Sequence, residues 1–104
     1  MKKNKTNKES AGETRPRRVH FEFTHPSATR IAIAGTFNDW HPGATPMVPI
    51  GGGRWVKELV LPPGVYEYRL VVDGKWLSDP RASETAPNPF GETNSIFKVN
   101  GNAR

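Results

Sequence analysis

From Arg17 the chain alternates apolar and polar positions with a period of two. Val19, Phe21 and Phe23 fall on one side and His20 and Glu22 on the other, the pattern of a half-buried strand. His25-Pro26 closes that run. Ile31 and Ile33, set between Arg30, Ala32 and Ala34, form a second strand that ends at Gly35. The stretch Thr36–Pro49 is broken by prolines and a glycine, and leaves room only for a short extended piece near Met47–Ile50. After the Gly51-Gly52-Gly53 turn, Arg54–Leu61 carries Trp55, Leu59 and Leu61 on one face. Pro62-Pro63-Gly64 turns the chain into Val65–Val72, where Tyr66, Tyr68, Leu70 and Val72 oppose Glu67, Arg69 and Val71. Asp73-Gly74 is the strongest hairpin signal of the sequence and leads into a short strand, Lys75–Ser78. Asp79–Asn94 shows no periodicity and reads as a long loop, and Ser95–Val99 as the last strand. The pattern predicts an all-β sandwich of six or seven short strands joined by turns, with no helix and no internal repeat.

Composition supports this. Gly and Pro each occur 10 times in 104 residues, which suits strands joined by turns and one modest core. Residues 1–16 are polar and lack aromatics, so we expect a disordered basic tail there, the sandwich over 17–100 and a short C-terminal tail over 101–104. The tail is read first as solubilising, with contact to an acidic partner as the sharper alternative. Residues 1–18 hold seven basic and two acidic side chains and account for the whole formal charge of +5, while eight bases balance eight acids in the remainder. A neutral body argues against nucleic acid as a partner, because such domains carry their basic patch on the folded surface. No apolar run reaches the roughly 18 residues that span a bilayer, so no membrane partner is expected. The chain has no cysteine, and no apolar segment follows the charged N-terminus, so the expected location is cytoplasmic.

Catalytic and cofactor chemistry is not suggested. The carboxylates of the body are scattered over strands and turns, without the facing pair that a glycosidase needs. His20, His25 and His41 lack metal-ligand spacing, and Gly51–Gly53 is not followed by the Lys and Ser/Thr of a phosphate loop. The expectation is a non-enzyme with no cofactor and no metal.

The tryptophans are more informative. Trp55 lies on an apolar strand face and is assigned to the core. Trp40 and Trp76 lie beside turns, in Asn38-Asp39-Trp40-His41-Pro42 and Asp73-Gly74-Lys75-Trp76, where a large indole is harder to bury. One reading has them capping the ends of the sandwich. The other has them as platforms for the apolar C–H face of a sugar ring, with nearby side chains bonding its hydroxyls. Arg69 alternates away from the core face and has five N–H donors suited to hydroxyls. The competing reading is a surface charge paired with Glu67 or Glu58.

Gly35-Thr36-Phe37-Asn38-Asp39-Trp40 resembles the G-x-F-N-x-W signature of carbohydrate-binding module family 48. Leu61 to Arg69, Val72-Asp73-Gly74-Lys75-Trp76, Asp79-Pro80 and Asn94-Ser95 follow in the family's order, and the resemblance runs from about Val19 to Val99. That family includes the glycogen-binding domain of the AMP-activated protein kinase β-subunit and the N-terminal domains of isoamylases and branching enzymes. The resemblance implies an all-β, immunoglobulin-like (early-set) β-sandwich of six to eight short antiparallel strands and non-catalytic binding of an α-glucan such as glycogen, starch or maltooligosaccharides. Trp40 and Trp76 match the stacking tryptophans, Arg69 a hydroxyl-bonding basic residue that is often Lys, and Asn94 a hydroxyl-bonding asparagine. In the late loop Phe90 stands where an aliphatic residue packs on the sugar. Glu92 replaces a threonine and either bonds hydroxyls or discourages the ligand. Family members usually sit beside a catalytic or kinase-docking segment. With neither in these 104 residues, a separate glucan-metabolising enzyme or regulatory protein is the expected further partner. The alternative function is a protein-interaction or regulatory adaptor of the same fold with weak or no sugar binding.

Overall fold

A computed structural model describes residues 15–101. The tail expected over 1–16 and the one over 101–104 lie largely outside the described residues. Eight strands follow in chain order: β1 Arg17–Thr24, β2 Ile31–Gly35, β3 Val48–Gly51, β4 Arg54–Leu61, β5 Gly64–Val72, β6 Lys75–Leu77, β7 Glu84–Pro87 and β8 Thr93–Val99. Single turns of 3-10 helix at Thr36–Asn38 and Pro42–Ala44 interrupt the connection between β2 and β3.

The strands form two antiparallel sheets, β1-β4-β3 and β2-β5-β8-β7, with β6 hydrogen-bonded to β5 as well. Register follows the apolar alternation, since a slip of one residue would turn each core side chain to solvent. Phe23 faces Trp55 and Val19 faces Leu59 across β1 and β4, while Ile31 faces Val72 and Ile33 faces Leu70 across β2 and β5. These rows meet in one core of Phe21, Phe23, Trp55, Ile31, Ile33, Met47, Tyr68, Leu70 and Val72. Each fully buried side chain of this kind contributes roughly 1.5–3 kcal/mol. Phe97 joins the aromatic end of the core, stacked on Tyr66 at 5.2 Å and edge-on to Phe21 at 4.9 Å.

Asp73 (φ 49°) and Gly74 (φ 85°) both adopt left-handed backbone, as a two-residue hairpin turn of this twist requires. The Asp73 carboxylate also accepts hydrogen bonds from the backbone N–H groups of Thr29 and Arg30, tying the β5–β6 hairpin to the start of β2.

One element differs from the sequence expectation. The segment Asp79–Asn94 is not all loop: β7 pairs with the start of β8, Glu84 opposite Ile96 through Pro87 opposite Thr93. It is an edge strand, mostly exposed, so it carries no alternating apolar face to betray it. Pro87 is tolerated at its end because an edge strand does not need every N–H.

Candidate binding groove

Trp40 is presented by a loop whose residues each answer a local demand. A Cβ at Gly35 would stand 2.5 Å from the Glu67 carbonyl oxygen and 2.7 Å from the Phe37 ring, so only glycine lets the loop lie against β5. Phe37 turns back onto the core edge, edge-on to Tyr66 at 6.3 Å. Asn38 braces the turn from inside. Its Oδ1 accepts from the Gly35 N–H at 3.0 Å, and its Nδ2 donates to the Ile33 carbonyl at 3.0 Å and to Thr45 Oγ1 at 2.9 Å. Asp39 and Trp40 then follow at φ 55° and 60°. Such backbone costs a non-glycine residue roughly 1–3 kcal/mol and persists where its surroundings fix it. The Trp40 N–H donates to the Gly35 carbonyl at 2.9 Å, closing the turn.

Strand alternation supplies the floor. Glu67, Arg69 and Val71 point away from the core, and Trp76 lies directly across from Val71 on β6. Trp76 is therefore on the same outer face as Arg69, one row away, and remains 39% exposed. Arg69 is only 9% exposed. Its Nη2 donates to the Trp76 carbonyl at 3.2 Å and forms an ion pair with Glu92 Oε1 at 2.6 Å. Its Nε is buried without a hydrogen-bond partner. The partner is thus Glu92 of the late loop rather than Glu67 or Glu58, the strand neighbours considered from sequence.

The late loop joins β7 to β8. Asn88 organises it: the side-chain Oδ1 accepts from the N–H groups of Phe90 at 2.9 Å and Glu92 at 3.1 Å, and Nδ2 donates to Asn94 Oδ1 at 3.2 Å. Asn94 passes the chain on, donating from Nδ2 to Glu67 Oε1 at 2.9 Å. Phe90 stands at the tip of the loop, 87% exposed.

These elements enclose a groove of about 900 Å³. All six residues singled out from the sequence, Trp40, Arg69, Trp76, Phe90, Glu92 and Asn94, line it. Glu67, Lys75 and Asn88 line it too and were not foreseen as site residues. Asn88 had a signal in the Asn88-Pro89 dipeptide and the nearby Gly91, both marks of a structured turn. The charged lining residues are Glu67, Glu92, Arg69 and Lys75, two of each sign. The groove pairs indole and phenyl faces with hydrogen-bonding groups and carries no net charge, which suits a neutral ligand with apolar faces and a hydroxyl rim. Among the described residues no cluster of His, Asp and Glu is arranged to hold a metal ion, and no helix is long and apolar enough to cross a membrane.

A second cavity of about 500 Å³ opens elsewhere, between the β1 edge and the Arg81–Glu84 segment. Beside it the Tyr68 hydroxyl donates to Asp79 Oδ2 at 2.6 Å. Burial, with help from this bond, raises the Tyr68 pKa far above its ordinary value. On the outer face of β1, the hydrogen bond from Arg54 lowers the pKa of the Glu22 carboxyl. Neither group belongs to the groove.

Two facing antiparallel sheets of this order define an immunoglobulin-like early-set domain. Maltogenic amylase from S. marinus has a matching region, with a TM-score of 0.70 and 23% identity over 85% of this chain and 14% of that one, a likeness of fold. The family described as the glycogen recognition site of AMP-activated protein kinase matches residues 17–104, and the chain belongs to this family of carbohydrate-binding modules. A 1,4-α-glucan branching enzyme from Xanthomonas campestris pv. campestris is 41% identical over 66% of this chain. The match spans only 10% of that enzyme's length. The 5'-AMP-activated protein kinase subunit β-1 of Sus scrofa is 28% identical over 89% of this chain and 70% of the subunit. An amyloplastic phosphoglucan phosphatase of Castanea sativa is 27% identical over 78% of this chain and 22% of its own length.

Proposed function

We propose that this protein is a non-catalytic module that lays an α-glucan chain along the groove. In this reading Trp40 and Trp76 stack on glucosyl rings, Phe90 adds an apolar contact, and Arg69, Asn94 and Glu92 bond hydroxyls. The observation that carries it is the convergence of both half-exposed indoles and the buried guanidinium on one neutral groove. Aromatic stacking contributes about 1–3 kcal/mol per ring for nucleobases. Comparable or weaker stacking on sugar gives a Kd on the order of 10 µM to 1 mM. Glycogen, which offers many chain ends at once, is held more firmly through multivalency. A cytoplasmic setting and a separate glucan-metabolising enzyme or regulatory protein as partner belong to the same proposal. Titrating the intrinsic fluorescence with maltoheptaose tests it directly, because two of the three tryptophans line the groove. A saturable change supports the reading, and a flat titration with unchanged mobility in glycogen-containing native gels rejects it.

One observation favours the adaptor alternative. Arg69 Nη2 and both polar atoms of the Asn94 side chain already have partners within the protein. A docking surface needs no free hydroxyl-bonding groups. Co-purification of a specific enzyme together with a flat maltoheptaose titration would select that alternative.

A further inference from the structure

The ion pair between Arg69 and Glu92 has a geometric consequence for which glycans can enter. A guanidinium grips phosphate or carboxylate through two adjacent nitrogens, either Nη1 with Nη2 or Nε with Nη2. Both modes need Nη2. In Arg69 that nitrogen is taken by Glu92 Oε1 at 2.6 Å and by the Trp76 carbonyl at 3.2 Å. Nε is buried besides. The one buried cation of the groove, among the described residues, therefore has no fork to offer an anion.

The remaining charges point the same way. Glu92 is half exposed and Glu67 sits on the floor, its Oε1 fixed by Asn94. Two carboxylates thus border the path of any ligand in the groove. Lys75 is the opposing charge, but it is exposed on β6 and forms no ion pair among the described residues. Solvent and salt screen Lys75 much as they screen exposed Glu92, whereas half-buried Glu67 on the floor is screened less. A neutral glucan can accept from or donate to these groups through its hydroxyls and brings no charge to the carboxylates. A glucan bearing phosphate would have to bring its charge beside Glu92 and Glu67 with no free guanidinium to offset it.

We infer that Glu92, by capping Arg69 Nη2, is a specificity-determining residue that restricts the groove to uncharged α-glucans and excludes phosphorylated ones. This rests on the glucan-binding reading above and adds a ligand class to it.

The test compares maltoheptaose with maltoheptaose bearing a 6-phosphate, titrated against the wild-type chain and Glu92→Gln. Glutamine keeps a carbonyl acceptor toward Arg69 but removes the negative charge. Wild type should bind the neutral sugar at least tenfold more tightly than the phosphorylated one, and Glu92→Gln should shrink that ratio to about threefold or less. A second measurement needs no variant: the wild-type ratio should fall as salt rises from about 0.01 M to about 1 M, where the screening length drops from roughly 30 Å to 3 Å. Equal affinity of wild type for both sugars, or a ratio indifferent to both the substitution and salt, overturns the inference while leaving glucan binding intact. Failure of wild type to bind maltoheptaose at all overturns the glucan reading, and this inference with it.

Discussion

Asn88 Nδ2 donates to Asn94 Oδ1 at 3.2 Å, while the same Asn88 side chain accepts from the N–H groups of Phe90 and Glu92. One amide therefore couples the tip of the late loop to the floor of the groove. It touches the positions of Phe90, Glu92 and Asn94 together, and through Asn94 it orients Glu67. Replacing it with alanine leaves two loop N–H groups and one asparagine oxygen without their partners. Individual hydrogen bonds of this kind contribute about 0.5–1.5 kcal/mol net. We expect Asn88→Ala to lower stability by about 1–2 kcal/mol. We also expect it to weaken maltoheptaose binding by roughly tenfold, about 1.4 kcal/mol. Thermal unfolding and the fluorescence titration check the two effects separately. A variant with native affinity would show that the loop needs no bracing.

What the sequence revealed and what it hid divide along physical lines. The strands over Arg17–Thr24 and Arg54–Leu61 were legible because one face is buried more than the other. Ile31–Gly35 and Gly64–Val72, though buried on both faces over much of their length, were legible because large apolar side chains still alternate with small or polar ones. The Asp73-Gly74 turn was legible because few residue pairs take two positive φ angles in succession. Edge strand β7 was not, since a strand that buries neither face leaves no period. The six groove residues were named from motif resemblance and placement beside turns. Their pairing was not foreseen. Whether Arg69 meets Glu67, Glu58 or Glu92 depends on how the loop between β7 and β8, far along the chain, folds over β5, and local pattern carries no information on that contact.

Trp40 offers a way to separate binding from stability. Its φ of 60° suits glycine better than any side chain, so Trp40→Gly removes the indole and relieves the backbone at once. The half-buried ring also contributes packing, and the two effects oppose each other. We expect Trp40→Gly to stay within about 1 kcal/mol of wild-type stability. Retention in glycogen gels should nevertheless be abolished. Trp76→Ala, which removes an exposed ring from a three-residue strand, should do the same with the fold intact. Normal retention of either variant would remove that indole from the site.

Gly35 is the reverse case, where the backbone is ordinary and space is the constraint. Its φ of −167° is open to any residue, but an added Cβ would meet the Glu67 carbonyl oxygen, the Phe37 ring and Tyr68 Cβ, all within 2.9 Å. The carbonyl belongs to β5, which is paired on both edges and has little freedom to yield. We expect Gly35→Ala to cost about 1–3 kcal/mol, as overpacked core sites do. It should also displace the Trp40 loop, seen as weaker glucan binding and a shifted tryptophan emission. Stability equal to wild type would mean that the loop and β5 can separate without penalty.

Tyr68 makes the fold sensitive to alkali. Its hydroxyl is buried and donates to Asp79 Oδ2, and burial first, then this bond and the nearby carboxylate charge, raise its pKa above the usual 10.0. A raised pKa means that the folded chain holds the proton more tightly than the unfolded chain does. The resulting stability is whole below pH 10 and declines as pH rises further, because the unfolded chain releases its proton first. Tyr68→Phe keeps the ring in the core but loses the bond, so it should cost about 1–2 kcal/mol near neutral pH. Above pH 10 its stability should fall less steeply than that of wild type, and the two curves should converge. Denaturant unfolding of both chains from pH 7 to pH 11 measures this, and a constant gap between them across that range would show that ionisation of the buried phenol does not drive the alkaline loss.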